Sequence, residues 1–198
     1  MPRTRQLVFV VSMLSLSWLG MMIVHELGHI AGAMLTGGHV QRVVLHPAAI
    51  SRTDVAPNPH PALVVWMGPV TGVLLPSIAF LSMARRRGTS VVMVGFFAGF
   101  CLIANGAYIS LGAFDRVGDC GEMLRTGTPL WVMLAFGAAA IPAGLVIWHR
   151  LGSLGEFWRQ PERVSTRLLA WTVSVTVCVI VAELLAHDHI CARPTNHN

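Results

Sequence analysis

The sequence predicts an all-α polytopic membrane protein with about five transmembrane helices and a short β-like hairpin or loop after the first helix. Three observations support this prediction. The 198-residue chain is 54% hydrophobic, with a mean hydropathy of +0.64. Only 12% of its residues are charged, whereas soluble domains average about 25%. The apolar residues also fall in long runs, and a helix needs about 20 such residues to cross a bilayer.

Five apolar segments are long enough to span a membrane. Backbone polar groups find no partners in lipid, so each segment is expected to be helical. The first segment is longer than one span requires and must tilt or protrude. The segments are Leu7–Leu35, Ala62–Ala84, Val91–Ala113, Leu130–Trp148 and Leu168–Ala186.

The connections between these segments differ in character. Gly37–Pro61 is the longest, and its β-branched residues around a proline predict a short hairpin or an irregular loop at the membrane surface. Phe114–Pro129 is predicted to be a glycine-rich loop that carries several acidic residues. Gly152–Arg167 is predicted to be polar and exposed.

The domain organisation follows from the same survey. Neither a repeat nor an appended soluble domain is evident, so residues 1–198 are predicted to form one integral membrane domain. Its core covers roughly residues 7–130. Accessory helices follow at 130–186, and a flexible tail is predicted at 187–198.

The charge pattern points to a membrane and not to nucleic acid. The formal net charge of +5 comes from arginine alone, because the sequence contains no lysine. The arginines lie at the ends of apolar segments, as charges that flank membrane spans do. A basic stripe with interleaved aromatic residues, typical of nucleic-acid binding, is missing. We therefore expect a multi-pass protein of the cell membrane, with the lipid bilayer as its surroundings and no nucleic-acid partner.

His25, Glu26 and His29 form the pattern H-E-x-x-H inside the first apolar segment. Residues four apart on a helix share a face, so both imidazoles can reach one metal ion. In zinc hydrolases with this pattern, the glutamate contacts the water that zinc activates. Zinc acidifies this water and polarises the substrate carbonyl, while the glutamate accepts the proton and delivers it to the leaving amine. The pattern predicts one zinc ion as cofactor and Glu26 as the catalytic base.

The position of these residues strengthens the prediction. Ionisable residues inside a membrane are rare and are candidates for function by default. The competing interpretation is a polar cluster that holds helices together. A catalytic zinc usually has three protein ligands, so the third must come from elsewhere in the chain. Asp115 and Asp119, four residues apart after the third apolar segment, are better placed than the remaining histidines.

Asn105 lies within the third apolar segment and has two interpretations. It can simply bond a neighbouring helix. In a functional interpretation, its amide donates a hydrogen bond to the substrate backbone or to the oxyanion that forms during hydrolysis.

Several short motifs occur in order between residues 20 and 130. They are HELGH in the first segment, TGGHV and LHP after it, GPVTG at Gly68–Gly72, and GDCGEMLRTGTP at Gly118–Pro129. Together they resemble the site-2 protease family of intramembrane zinc metalloproteases, in particular its compact bacterial branch. The wider family reads N-x-x-P-x(4)-D-G around its aspartate. Here no such proline follows Asn105, the spacing is longer, and Cys120 replaces the glycine.

The resemblance implies two histidines and an aspartate on zinc, a glutamate base, and peptide hydrolysis within the membrane. It aligns Asp119 with the metal aspartate through the Thr-Gly-x-Pro turn that follows. Gly118 and Gly121 flank Asp119 and let the backbone approach an ion closely. Asp115 lies beside Arg116 and is explained as a solvated or ion-paired loop residue. The predicted ligands are therefore His25, His29 and Asp119, with Asp115 as the alternative to the last.

Three functions are compatible with this pattern. The first is an intramembrane zinc metalloprotease that hydrolyses peptide bonds in or near transmembrane segments of a membrane-protein or peptide substrate. The second is a non-catalytic metal-binding membrane protein that acts as a scaffold or binds partners. The third is a metal-dependent membrane hydrolase of non-peptide substrates, because water activation does not reveal the bond attacked. An intact Glu26 favours an enzyme.

The arginine distribution and the family resemblance predict opposite orientations of the chain in the membrane. With the N-terminus inside, nine arginines lie on the inner side and five on the outer side, which favours N-in. The resemblance implies N-out, because the family places the loop end of the metal helix towards the cytoplasm. We expect N-out, since a bias of nine to five is modest.

Overall fold

The computed structural model describes residues 2–83, 85–86, 88–152 and 164–191, with backbone only at Pro2 and at 186–191. Within these residues, five helices are long and apolar enough to cross a membrane. The elements in chain order are α1 (Pro2–Leu35), β1 (Val40–Val44), β2 (Arg52–Val55), α2 (Pro61–Ser82), α3 (Thr89–Asp115), α4 (Gly118–Arg125), α5 (Leu130–Arg150) and α6 (Thr166–Cys191). The predicted fold class is confirmed.

The helix bounds differ from the predicted ones mainly at the two ends of the chain. The first helix begins at Pro2, five residues before the apolar run. The last helix continues to Cys191, beyond the predicted end at Ala186. The remainder of the predicted tail, 192–198, lies outside the described residues, as does most of the stretch predicted to be polar and exposed after Gly152.

The stretch after α3 is not the loop that the sequence predicted. It contains a short helix, α4, whose first turn carries Asp119. The chain reverses before it, because Arg116 adopts a left-handed conformation with φ 57° at the end of α3. Cys120 and Met123, three residues apart, are fully buried on one face of α4 against Ile109 of α3. The glycines of this stretch led to the prediction of a loop, but burial of this apolar face stabilises a helix.

The β-hairpin folds back along α1. Strands β1 and β2 pair antiparallel, with Val43 opposite Thr53. In the loop between them, the carbonyl oxygen of Pro47 accepts a hydrogen bond of 3.2 Å from the indole Nε1 of Trp18. Trp18 lies about 26 Å along the axis from the end of α1 at Leu35. The hairpin therefore returns deep alongside α1, where irregular backbone is tolerated only against protein or a water-filled cavity.

The long helices pack in a definite order. Helix α1 lies between α6 and α2, α2 packs on α3, and α3 packs on α5. Arg5 bonds the carbonyl oxygen of Val164, and Thr176 bonds the carbonyl oxygen of Ser12. The start and the middle of α1 thus lie beside the corresponding parts of α6, so the two helices run parallel, as the first and last of five successive spans must. The short helix α4 packs on both α2 and α3.

Candidate metal centre

Two histidines of α1 and one aspartate of α4 converge on one point. His25 Nε2 lies 2.8 Å from Asp119 Oδ2, and His29 Nε2 lies 3.3 Å from the same oxygen. The two imidazole rings have centroids 4.8 Å apart and meet edge to face. One ligand atom from each residue can be chosen so that all three lie within 4.8 Å of one another. Both histidines are 5% exposed, whereas the Asp119 side chain is 25% exposed, so the centre is buried at the histidines and partly open at Asp119.

The other nitrogen of each imidazole is fixed by a hydrogen bond. His29 Nδ1 donates to the carbonyl oxygen of Val64 at 2.9 Å. His25 Nδ1 lies 2.7 Å from Asn105 Oδ1, and the Asn105 amide nitrogen donates to the carbonyl oxygen of Cys101 at 2.9 Å. With Asn105 Oδ1 as acceptor, both Nδ1 atoms carry the proton. A metal ion at this point would take the lone pair of each Nε2, whereas without an ion a proton on Nε2 bonds the Asp119 carboxylate.

This donor set fits zinc. Two neutral imidazoles and one carboxylate are ligands that Zn²⁺ prefers, and three protein ligands leave a position open at a catalytic ion. A hydrogen bond from the second ring nitrogen to a carbonyl or amide oxygen is the usual way in which metal-binding histidines are oriented. His25, His29 and Asp119 are thus able to hold one ion between them.

Asp119 is positioned by the chain around it. Its backbone N–H donates to the hydroxyl of Tyr108 on α3 at 3.3 Å. Burial alone would raise the pKa of the Asp119 carboxyl. Hydrogen bonds from His25 and His29 outweigh burial and hold this pKa below its ordinary range. The neighbouring thiol of Cys120 has its pKa raised to about 11 by burial, so it stays protonated at neutral pH.

Glycines of α2 allow that helix to approach the centre. A Cβ atom at Gly68 would overlap the imidazole of His29 and lie 2.8 Å from Nε2 of His25. A Cβ atom at Gly72 would lie 2.8 Å from the amide of Asn105. The GPVTG motif therefore brings backbone, and not side chains, against the histidines and their partner. Its two glycines are required by this close approach.

Glu26 follows His25 on α1 and is 2% exposed. Its carboxylate accepts two hydrogen bonds from the hairpin. Ser51 Oγ donates to Oε1 at 2.6 Å, and Thr53 Oγ1 donates to Oε2 at 2.5 Å. No ligand atom of Glu26 belongs to the three-residue group around Asp119. The Glu26 carboxylate therefore takes no part in the candidate metal centre.

A cavity of about 150 Å³ adjoins the centre. His25, Glu26 and Asp119 contribute polar groups to its lining. Trp18, Met22 and other mostly apolar residues of α1 and α3 form most of the remainder, with Ile50 and Ser51 from the hairpin. The cavity therefore places an apolar chamber directly beside the polar centre.

The other predicted residues occupy different places. Asp115 is exposed at the end of α3 and is outside the three-residue group, so the structure brings only Asp119 to the histidines. Asn105 is 1% exposed, and its amide contacts His25 and Cys101. The oxyanion role predicted for Asn105 stays a prediction. Its location also accounts for the long spacing to Asp119, because the last turns of α3 and the reversal at Arg116 intervene.

Sequence reasoning missed the hydroxyls of Ser51 and Thr53 and the phenol of Tyr108. One signal for the hydroxyls was available. Residues two apart on a strand point to the same side, and Ser51, directly before β2, is two residues from Thr53 in that strand.

Comparison with known proteins gives one match. The family model described as Peptidase M50B-like matches residues 6–109, just over half of the chain. The matched range includes all but the first four residues of α1, the hairpin, α2 and most of α3. It therefore contains His25, Glu26, His29 and Asn105, and ends before Asp119. No curated protein and no solved structure matches.

Proposed function

Because the chain is a multi-pass membrane protein that belongs to the Peptidase M50B-like family, which is the site-2 protease family, we propose that it is an intramembrane zinc metalloprotease. It hydrolyses peptide bonds in or near transmembrane segments. Family membership supports a metallopeptidase in general. Beyond this, we propose the identity of the metal, the reaction steps and the class of substrate.

One observation carries the proposal. Nε2 of His25 and Nε2 of His29 both face Oδ2 of Asp119, and Glu26 lines the same cavity as His25 and Asp119. A purely structural polar cluster would satisfy the imidazole nitrogens with any available acceptor. Here the Nδ1 atoms are bonded elsewhere, and the two Nε2 atoms are directed at one carboxylate oxygen. This is the arrangement of a metal site beside a base.

The residues have separate tasks in the proposed reaction. His25, His29 and Asp119 would hold zinc, and zinc, when bound, would supply Lewis-acid polarisation of the substrate carbonyl and acidification of a water molecule. Glu26 takes a proton from the attacking water on its carboxylate and passes it to the nitrogen of the leaving amine. Asn105 and the carbonyl oxygen of Val64 keep the two imidazoles in one tautomer. Burial of the site keeps bulk water away from these transfers.

The surroundings of the centre indicate the class of substrate. The cavity beside Glu26 is lined mainly by apolar side chains, among them Trp18, Met21 and Met22. Peptide bonds in an intact helix are shielded by their own hydrogen bonds, so the substrate segment must unwind locally before it can enter. We therefore propose apolar transmembrane segments as substrates.

The two other functions make different demands on Glu26. A non-catalytic metal-binding protein requires only His25, His29 and Asp119. In such a protein the buried carboxylate of Glu26 would serve only to bond Ser51 and Thr53 of the hairpin, whereas an enzyme also uses it as the base. A hydrolase of non-peptide substrates would use the same residues and differs only in the bond attacked. Substrate assays are therefore needed to separate it from the protease.

The experiment uses the full chain, purified in detergent and returned to lipid vesicles. Synthetic transmembrane peptides are incubated with the untreated protein, with protein treated with a chelator, and with treated protein to which zinc is restored. We expect cleavage that the chelator abolishes and zinc restores. Cleavage that is insensitive to the chelator would contradict the metal mechanism. Zinc binding without cleavage of any peptide or ester tested would favour the non-catalytic alternative.

A further inference from the structure

Both oxygens of the Glu26 carboxylate are bonded by hydroxyl groups of one short segment. Ser51 Oγ donates to Oε1 at 2.6 Å and Thr53 Oγ1 donates to Oε2 at 2.5 Å. Hydroxyl bonds to a carboxylate in this distance range are charge-assisted and stronger than neutral ones. Glu26 is the candidate base by family membership. Each of its two carboxylate oxygens thus accepts a hydrogen bond from a residue outside the recognised motifs.

The segment that carries these hydroxyls is itself anchored. Backbone bonds join His39 to Pro57 and Ala56 to His39 at the open end of the hairpin. Near the other end, the indole of Trp18 donates to the carbonyl oxygen of Pro47. Hydrogen bonds within the hairpin and between the hairpin and α1 therefore fix the position of Ser51 and Thr53 relative to Glu26.

The contacts leave the carboxylate able to act. Each carboxylate oxygen offers about two acceptor positions, and each hydroxyl occupies one of them. A position therefore remains on each oxygen for a proton. A glutamate side chain has three rotatable bonds, and two donors on different oxygens restrict its carboxylate to one orientation. Holding a reacting group in one orientation is worth a large factor in rate, and a displacement of about 1 Å can cost roughly a hundredfold.

We propose that Ser51 and Thr53 are positioning residues that hold the carboxylate of Glu26 in the orientation needed for proton transfer. This inference rests on the proposed function, in which Glu26 is the base. Ser51 also lines the cavity beside the centre. The same segment therefore forms a wall of the substrate chamber and orients the base within it.

The first test measures kcat and KM for the transmembrane peptide that the wild-type protein cleaves fastest. Thr53→Val removes the hydroxyl and keeps the shape, whereas Thr53→Ser keeps the hydroxyl. We expect Thr53→Val to lower kcat by about tenfold or more, the effect of losing one hydrogen bond to a charged group. KM and zinc content should stay within about twofold of wild type, and Thr53→Ser should recover most of the lost kcat. Thr53→Val combined with Ser51→Ala should lower kcat further.

A matched control separates this effect from general destabilisation. Thr172 on α6 is fully buried, and within the described residues its hydroxyl donates to the carbonyl oxygens of Leu168 and Leu169 in its own helix. Thr172→Val makes the same chemical change away from Glu26 and should leave kcat close to wild type. An equal loss of kcat in Thr53→Val and Thr53→Ser would overturn the proposal. A rise in kcat on loss of the hydroxyl would also overturn it, because the hairpin would then restrain the base and not position it.

A second readout does not depend on turnover. Thermal unfolding midpoints are measured on chelated protein for Thr53→Val alone, for Glu26→Met alone and for the double variant. We expect Thr53→Val to lower the midpoint by about 3 °C or more with Glu26 present, because the variant loses a hydrogen bond to a charged group. It should have a clearly smaller effect in the Glu26→Met background. Equal effects in both backgrounds would contradict the contact.

The two proposals fail in different ways. If the wild-type protein cleaves no membrane peptide, the proposed function is wrong and the positioning role falls with it, even where the unfolding midpoints reveal the contact. If the wild-type protein cleaves and Thr53→Val cleaves equally fast, only the positioning role is wrong.

Discussion

Nε2 of His25 lies 2.8 Å from Oδ2 of Asp119, although 94 residues separate the two in the chain. The contact joins α1 to the first turn of α4. It depends on the reversal at Arg116, which turns α4 back onto α3. The candidate metal centre is therefore built from the first and the fourth helix, with α2 and α3 as its support.

Removing the carboxylate from α4 tests the third ligand. Asp119→Ala should reduce bound zinc strongly, because the Asp119 carboxylate faces both Nε2 atoms. Asp115→Ala is the matched control, since Asp115 is exposed and should leave zinc content near wild type. Metal analysis of the two purified, folded variants measures the difference. The reverse order of zinc content would mean that the third ligand is misassigned.

Changing Asn105 distinguishes its two roles. Asn105→Leu removes the acceptor that holds the Nδ1 proton of His25, so zinc affinity should fall by about 10- to 100-fold, the usual effect of losing such a partner. Affinity is measured by competition with a chelator of known strength. If Asn105 served only the oxyanion, zinc affinity would be unchanged and kcat alone would fall.

Adding one methyl group at Gly68 tests the close approach of α2. Gly68→Ala should displace the imidazole of His29, because the new Cβ atom would overlap it. We expect loss of zinc binding and a lower unfolding midpoint. Gly20→Ala on α1 is the control, since its Cβ atom would meet only the side chain of Phe97, at 3.1 Å. Normal zinc binding by Gly68→Ala would contradict the close approach of α2 to the histidines of α1.

The orientation of the chain can be tested by cysteine labelling in intact cells. In a background without the four native cysteines, one cysteine is placed at Arg86 and another at His60, the exposed residue directly before α2. The N-out orientation predicts that an impermeant reagent labels position 86 and not position 60, because these positions flank α2 on opposite sides. Labelling of position 60 alone would establish N-in, as the arginine distribution indicates.

The membrane-spanning part of the fold was predictable because lipid imposes it. Long apolar runs such as Leu130–Trp148 must be helical where no water bonds the backbone, and α5 covers this range. The common face of His25 and His29 followed from the helical period. The choice of Asp119 depended on a family motif, and the position of Asp119 next to the histidines agrees with it.

Other features depend on contacts that no local pattern encodes. Helix α4 was predicted as a loop because Gly118 and Gly121 lower helix propensity, while the buried face with Cys120 and Met123 outweighs that cost. The partnership of Asn105 with His25 joins residues 80 apart in sequence. The bonds from Ser51 and Thr53 to Glu26 require the hairpin to fold back along α1, and strand propensity says nothing about where a hairpin docks.

The most direct test of the central claim is a single preparation of Glu26→Gln in which bound zinc and peptide cleavage are both measured. The glutamine amide oxygen still accepts a hydrogen bond from one hairpin hydroxyl, and its NH2 group can donate to the other hydroxyl, but the amide takes no proton from water. The account predicts zinc close to the wild-type level and a cleavage rate lower by at least about a hundredfold, the scale of general base catalysis. Cleavage near the wild-type rate by the zinc-loaded variant would contradict the account.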